Sequence, residues 1–310
     1  MSRIVAIFGP TASGKSAVAV ALAHALNGEI VSADSMQVYR GIECLTNQPT
    51  LAQQEGVPHH LVGFLDATSQ YDVAQYAHEA HGVIDAIIDR QGTPIVIGGS
   101  GLYLRAALAE EFFPPRADAI DRERLQGQVE ELGPAAAHAR LATIDPAAAA
   151  RIAPTDTRRV VRALELASLG SSLAPTGEDA LWATAMRRPT RLFGLLVDRA
   201  QLHARINTRT TALLDAGGIG EVAALQAHAS GLSTTARRAI GVLDVTALID
   251  GQIDRNECER RLATRTRQYA KRQDTWMRRL EQIERIDANQ PTDLVAAAIE
   301  ARLADDPPIP

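Results

Sequence analysis

Near the amino end, Gly9 to Ser16 reads GPTASGKS, set between an apolar run, Ile4 to Phe8, and an amphipathic run, Ala17 to Leu26. The spacing GxxxxGK[ST] between a strand and a helix turns the chain so that consecutive N–H groups face an anion at the helix amino terminus. Gly9 and Gly14 permit the turn, with Pro10, Thr11, Ala12 and Ser13 between them. Lys15 is placed to reach terminal phosphate oxygens, and Ser16 to offer its hydroxyl to Mg2+. A diphosphate-sized group is therefore expected on residues 9 to 16.

The loop alone does not say which phosphate it holds. An ATPase or kinase usually follows with an apolar strand that ends in an aspartate ordering the metal. The best candidate, Thr93 to Ile97, ends instead in Gly98, Gly99, Ser100 and Gly101. Eighteen residues beyond Ser16 comes DSMQVY, with Asp34 just past a second apolar run. An aspartate there is ordinarily a cap or turn former. Ser35, Gln37 and Tyr39 follow it with groups suited to the edge of a base, and the carboxyl ends of parallel strands are where such folds build sites. Asp34 could hydrogen-bond an exocyclic amine and take its proton as that nitrogen attacks carbon.

With 310 residues and 46% hydrophobic content, the chain can bury a substantial core. Its two cysteines, Cys44 and Cys258, are far apart and have no metal-binding spacing, which fits a reducing cytoplasm. No room for a signal peptide precedes the first strand, no run reaches membrane-spanning length, and a cytoplasmic protein without membrane contact is expected. The formal charge is −5, yet Arg255 to Arg279 holds nine Lys or Arg against three Asp or Glu. Such a local excess can steer a polyanion, or it can be a solvated helix face.

Apolar runs and helical patterns alternate at first: strand 3 to 8, helix 15 to 26, strand 29 to 33, helix 72 to 90, strand 94 to 97 and helix 101 to 109. This order predicts a P-loop NTPase-like α/β fold, with a mostly parallel sheet and flanking helices. Residues 47 to 70 read as a long connection. From Asp118 to about Leu169 the pattern is purely helical, and DTRRVVRALE places Arg158 and Arg162 on one face with Arg159 beside them. Glu165 and Asp156 are the acids that could pair with them. A strand at 191 to 197 is followed by helices at 199 to 214, 218 to 229, 235 to 249 and 254 to 285. Cys258, Leu262, Tyr269, Trp276 and Leu280 form the expected packing stripe of the last helix, leaving Arg265, Lys271 and Arg272 on the surface. The expected divisions are 1–112 and 189–310 for the core and 113–188 for an all-helical insertion.

The series GPTASGKS, DSMQVYRG, TNQPT, VPHHL, GGSGLYL, DTRRVVRALE, ARRAIG and TRQYAKRQDTW, in this order along nearly the whole chain, resembles the bacterial tRNA dimethylallyltransferases. That resemblance implies transfer of a dimethylallyl group from dimethylallyl diphosphate to N6 of adenosine 37 in the anticodon stem-loop, by a monomer. It implies that Gly9 to Ser16 hold the donor's diphosphate with Mg2+, that Asp34 is the general base, that Ser100 stands near the reacting groups and that Arg238 reaches the diphosphate. It further implies tRNA contacts from Asp34, Ser35, Met36, Gln37, Arg122, Arg158, Arg159, Arg162, Arg238, Lys271, Arg272 and Gln273. Gln48 stands where the family often has lysine. The rival readings are a P-loop kinase of a small metabolite or nucleotide and a non-catalytic RNA-binding module.

Overall fold

A computed structural model describes residues 3–110, 119–173, 185–227, 231–280 and 282–304. The chain divides into two compact units, residues 1–110 with 186–310, and 111–185.

The larger unit is organised by a six-stranded sheet in the order β4-β2-β6-β1-β7-β8. The strands are β1 (Ile4–Phe8), β2 (Gly28–Ser32), β4 (His59–His60), β6 (Thr93–Gly98), β7 (Thr190–Leu196) and β8 (Glu284–Asp287). All of its pairings are parallel, with Ile7 beside Ile97 on one flank and Phe193 on the other. Every residue of β1 is buried, as a central parallel strand covered on both faces requires. Helix α1 (Lys15–Leu26) packs on one face, and its weak amphipathicity has a direct cause. The carboxyl-terminal helix Thr292–Ala304 lies over it, so Val295, Ala296 and Ile299 join Val18, Leu22 and Ile30 in one core. The connection from β2 to β6 carries α2 (Glu43–Thr46), α3 (Leu51–Gln54) and α4 (Val73–Asp89), and a small separate sheet of β3 (Tyr39–Arg40) with β5 (Leu65–Asp66). Helix α5 (Gly101–Leu108) follows β6.

Four elements differ from expectation. Residues 47 to 70 are not merely a connection, because His59–His60 adds an edge strand to β2, too short to show a two-residue period. The segment 235–249 is broken into a single 3-10 turn, Ala236–Arg238, and a helix, Val242–Ile249. The last long helix stops at Arg279, since Leu280 leaves helical geometry with ψ 97. Leu280, Ile283 and Ile286 mimic a helical stripe by their three-residue steps, but Glu284–Asp287 is the edge strand β8. The stripe of that long helix also drifts: Cys258 and Leu262 are buried as expected, while farther along Ala270, Gln273 and Met277 take over from Tyr269, Trp276 and Leu280. Arg265 is not a free surface cation; it pairs with the buried Asp244 at 2.8 Å. Among the described residues, no helix is long and apolar enough to cross a membrane.

The smaller unit contains α6 (Ala119–Ile144), α7 (Pro146–Ala149) and α8 (Thr157–Ser168). Leu125, Val129, Ala137, Leu141, Val160 and Leu164 form its core. Helix α6 is interrupted at Gly133, where φ 74 and ψ 162 precede Pro134. Glycine alone adopts that geometry readily, and proline starts the next helical turn without a lost donor. Gly133→Ala should lower unfolding stability by about 1–3 kcal/mol. Chemical denaturation checks this, and a loss below about 0.5 kcal/mol would mean that the break costs an ordinary residue nothing.

Candidate active site

The site grows from the carboxyl ends of β1, β2 and β6. After β1 the loop passes through Ala12 at φ 65 and Gly14 at φ 92 before α1 begins. Gly14 provides no side-chain cap, and the first turn of α1 has no acidic residue, so the amides and positive dipole end of this helix are left to an external anion. Lys15 Nζ donates to Pro10 O at 2.8 Å. Burial, aided by the charge of Arg209, pushes the Lys15 pKa down to about 7 against the opposing pull of Asp34.

Arg209 is the site residue missed in the sequence. It lies on α9 (Arg199–Leu213) and donates to Thr11 Oγ1 at 3.1 Å. Its signal was a charge in an apolar stripe: Leu202, Ile206 and Thr210 are the buried residues of this helix, and Arg209 falls between the last two. Arg238, expected at the diphosphate, is exposed on its 3-10 turn, while Arg209 hydrogen-bonds the loop itself.

A second helix fixes the loop from above. On α12, the label used for the long helix Arg255–Arg279 after α10 (Ile219–Gln226) and α11 (Val242–Ile249), Gln273 is only 3% exposed. Its Oε1 accepts from Thr11 N at 2.8 Å. Gln273 was expected on the RNA surface; burial makes it instead a brace for the phosphate loop. The GGSG segment is what admits it. A Cβ on Gly99 would stand 2.0 Å from Gln273 Nε2, and one on Gly101 would stand 1.9 Å from the Trp276 ring. Ala12 packs with Leu202, Ile206, Ala263 and Ala270, which docks the loop on α9 and α12. Ser100, half-buried, precedes α5 as its N-cap without a side-chain capping bond, so its hydroxyl is not spent on the helix.

Asp34 lies two residues beyond β2 and accepts from Met36 N at 2.8 Å. Burial raises its pKa above the ordinary carboxylate value, with Met36 N, the Lys15 charge and the Gln37 backbone opposing. Its field also raises Tyr269, which burial pushes up first, and the same ring lies 5.7 Å beneath the Arg272 guanidinium. Asp34, Lys15 and Tyr269 therefore lie near enough to feel one another's charge, with Asp34 and Lys15 half-buried. Ser35 and Met36 are half-buried beside it. Tyr39, by contrast, is fully buried and cannot meet a base. Gln37 is committed internally: its amide nitrogen donates to Asn47 O at 3.0 Å and Thr46 O at 3.3 Å, and its oxygen accepts from Ser32 Oγ at 2.9 Å. Gln48 donates to Tyr39 O at 2.6 Å, so the residue in the lysine position holds the backbone of this segment.

Along α12 the basic residues divide. Arg255, Arg260 and Arg261 pair with Asp215, Glu259 and Glu257, while among the described residues Lys271, Arg272, Arg278 and Arg279 have no ion-pair partner. In the smaller unit, Arg162 lies 2.9 Å and Arg122 3.6 Å from the buried carboxylate of Glu165. Arg158 and Arg159 are exposed on the same helix, and Asp156 caps it through Arg159 N at 3.2 Å.

Lys15 gives the site a pH signature. An anion favours the ammonium form, so binding raises the Lys15 pKa and takes up a proton wherever the free lysine is neutral. Affinity for inorganic pyrophosphate should fall as pH rises through about 7, and calorimetry in buffers of different ionisation enthalpy should show proton uptake above that pH. Affinity that is flat from pH 6 to 9 would leave Lys15 charged throughout.

The family model described as IPP transferase matches residues 37–280. A tRNA dimethylallyltransferase of Kineococcus radiotolerans is 42% identical, with 96% of this chain and 95% of the relative covered. Another, from an Anaeromyxobacter species, is 42% identical over 97% and 99%. The crystal structure of the tRNA isopentenylpyrophosphate transferase of Bacillus halodurans superposes with a TM-score of 0.71 at 34% identity, covering 98% of this chain and 96% of that one. A phosphate loop braced by α12, a carboxylate at the end of β2 and matches of this length lead to one assignment: the chain belongs to the IPP transferase family.

Proposed function

We propose that the chain transfers a dimethylallyl group from dimethylallyl diphosphate to N6 of adenosine 37 in tRNA, releasing diphosphate. The observation that carries this reading is the electrostatic pairing of a loop that bears Lys15 and is reached by Arg209 with the raised carboxylate of Asp34. The cradle residues, Gly9 to Ser16, hold the two phosphates through the loop amides. Lys15 and Arg209 offset the charge that grows on the bridging oxygen as the carbon–oxygen bond breaks. Asp34 accepts a hydrogen from N6 and takes that proton as nitrogen bonds to the allylic carbon. A flipped anticodon-loop base costs less to extract than a duplex base, and with both substrates bound the prenyl tail is shielded from water.

The donor set suits Mg2+ carried in with the diphosphate. Among the described residues no cluster of three His, Cys, Asp or Glu could hold a metal, and Ser16 offers a hydroxyl at the start of α1. Mg2+ accepts one or two protein oxygens plus phosphate and water, and when bound it would add positive charge at the leaving group.

A kinase reading fares worse. A carboxylate at the end of β6 has no room, since even a Cβ on Gly98 would lie 2.4 Å from Ala33 O. Past the end of β7, Asp198 is spent on capping α9 through Ala200 N and Gln201 N. Incubation with dimethylallyl diphosphate and unmodified tRNA, without ATP, followed by mass analysis of nucleosides, tests the proposal; a requirement for ATP or a phosphorylated product would overturn it.

Asp34→Asn keeps the shape and removes the base. Single-turnover transfer should slow by about 10²–10⁴ with tRNA affinity little changed. In the unaltered chain the acid limb of the rate should fall above the usual aspartate range, because the raised pKa means that Asp34 gains its proton at a higher pH. A rate within about threefold of the parent would reduce Asp34 to a structural role.

The cations of α12 that have no ion-pair partner among the described residues, Lys271 and Arg272 foremost, are the proposed contacts with the tRNA backbone, together with Arg158 and Arg159 in the smaller unit. Arg272→Ala should weaken tRNA binding and reduce the slope of log K against log salt by roughly 0.7–0.9, while Arg260→Ala, which only breaks a helix-surface pair, should do neither. Equal effects from both variants would point to the general charge of the helix and away from a contact by Arg272.

A further inference from the structure

We propose that Glu221 is a positioning residue for the Asp34–Gln37 segment, acting through the short turn α2; this rests on the transfer reading above and deepens it. The turn starts at Ile42, which has φ −136, ψ 33 and no side chain able to cap it. Its first N–H groups therefore lack a local acceptor. Glu221, on α10 and 177 residues along the chain from Cys44, supplies two. Oε1 accepts from Cys44 N at 2.6 Å and Oε2 from Leu45 N at 3.1 Å. The nearer carboxylate, Glu43, is turned the other way, onto Gly41 N at 2.9 Å.

The far end of the same turn faces the cleft segment. The carbonyls of Thr46 and Asn47 receive the Gln37 amide, and Gln37 in turn receives Ser32 Oγ at the end of β2, two residues before Asp34. A two-oxygen grip on one end of a four-residue helix thus sets the height of the carbonyls at its other end, and these set Gln37. Bonds from N–H to a carboxylate are about twice as strong as neutral ones, so a charged residue holds the turn more firmly than an amide could. Leu45 closes the path laterally: it is buried, and a Cβ on Gly241 would come 2.9 Å from its Cδ2. Asp34 must keep hydrogen-bond reach to the attacking nitrogen, and a displacement of about 1 Å costs on the order of a hundredfold.

Glu221→Gln retains the size while turning one acceptor into a donor facing an N–H group. Single-turnover transfer should fall by about tenfold to a hundredfold, with pyrophosphate affinity within about twofold of the parent. Backbone amides of Gln37, Cys44 and Leu45 should exchange with solvent faster, while those of β1 keep their protection. Combined with Gln37→Ala, the variant should be little slower than the worse single change, since both act along one path. Transfer within threefold of the parent, or losses that multiply in the double variant, would overturn the role. Unchanged exchange at residues 37, 44 and 45 would overturn the relay whether or not the chain prenylates tRNA. If the unaltered chain makes no prenylated adenosine, the transfer reading fails and the exchange measurement alone decides the relay.

Discussion

One buried amide holds the catalytic half of this molecule together. Gln273 reaches from α12 to the backbone of the phosphate loop and lies against a residue that must be glycine to receive it. The loop's own geometry is set locally by its glycines, but its position relative to β6 is not. A helix that arrives more than 260 residues later supplies that constraint. Because the Gln273 side chain is only 3% exposed, losing its partner would leave an unsatisfied polar group in the interior, a penalty larger than the net gain of an average hydrogen bond. The GGSG run after β6 is thus explained by what approaches it.

The electrostatics follow from the same closure. Covering the loop with α9 and α12 takes Lys15 and Arg209 partly out of water; burial lowers the proton affinity of both, and the Arg209 charge lowers that of Lys15 further. Two such cations, with no carboxylate bonded to either among the described residues, make a site that favours a polyanion. Asp34 softens this at a distance, and burial raises its own pKa above the ordinary carboxylate value.

Much of this was legible from sequence and part was not. The loop, β1, α1, β2, α4, β6 and the helical insertion announce themselves by periodicity and by glycine placement, because each depends on contacts close in the chain. Arg209 and Gln273 escaped in different ways. Arg209 is read from a pattern as one cation among many, and only the neighbouring buried residues of α9 reveal its direction. Gln273 shares a helix with a run of arginines, and its inward face is a matter of phase: a seven-residue stripe and the true helical repeat diverge by about 20° per heptad, a drift that accumulates along a helix of this length. Gln37 was read as free to meet a base because its partners, two consecutive carbonyls and a serine hydroxyl, lie on two other pieces of backbone, the end of α2 and the end of β2. Edge strands β4 and β8 were lost for want of length, having two and four residues.

The order of strands also decides when this enzyme can come into being. Strand β1 is made first, yet one of its two neighbours, β7, begins at Thr190, and the helix that covers α1 begins at Thr292. A chain emerging from the ribosome therefore carries a half-sheet with an open edge and an apolar helix face for most of its synthesis, while residues 111–185 already contain a complete small core. Final closure waits for long-range pairing, which is slow and exposed to aggregation. Arg209 and Gln273, which reach the loop after β1, also come after the start of β7, so an unfinished chain lacks the side chains that brace this loop until late in its synthesis.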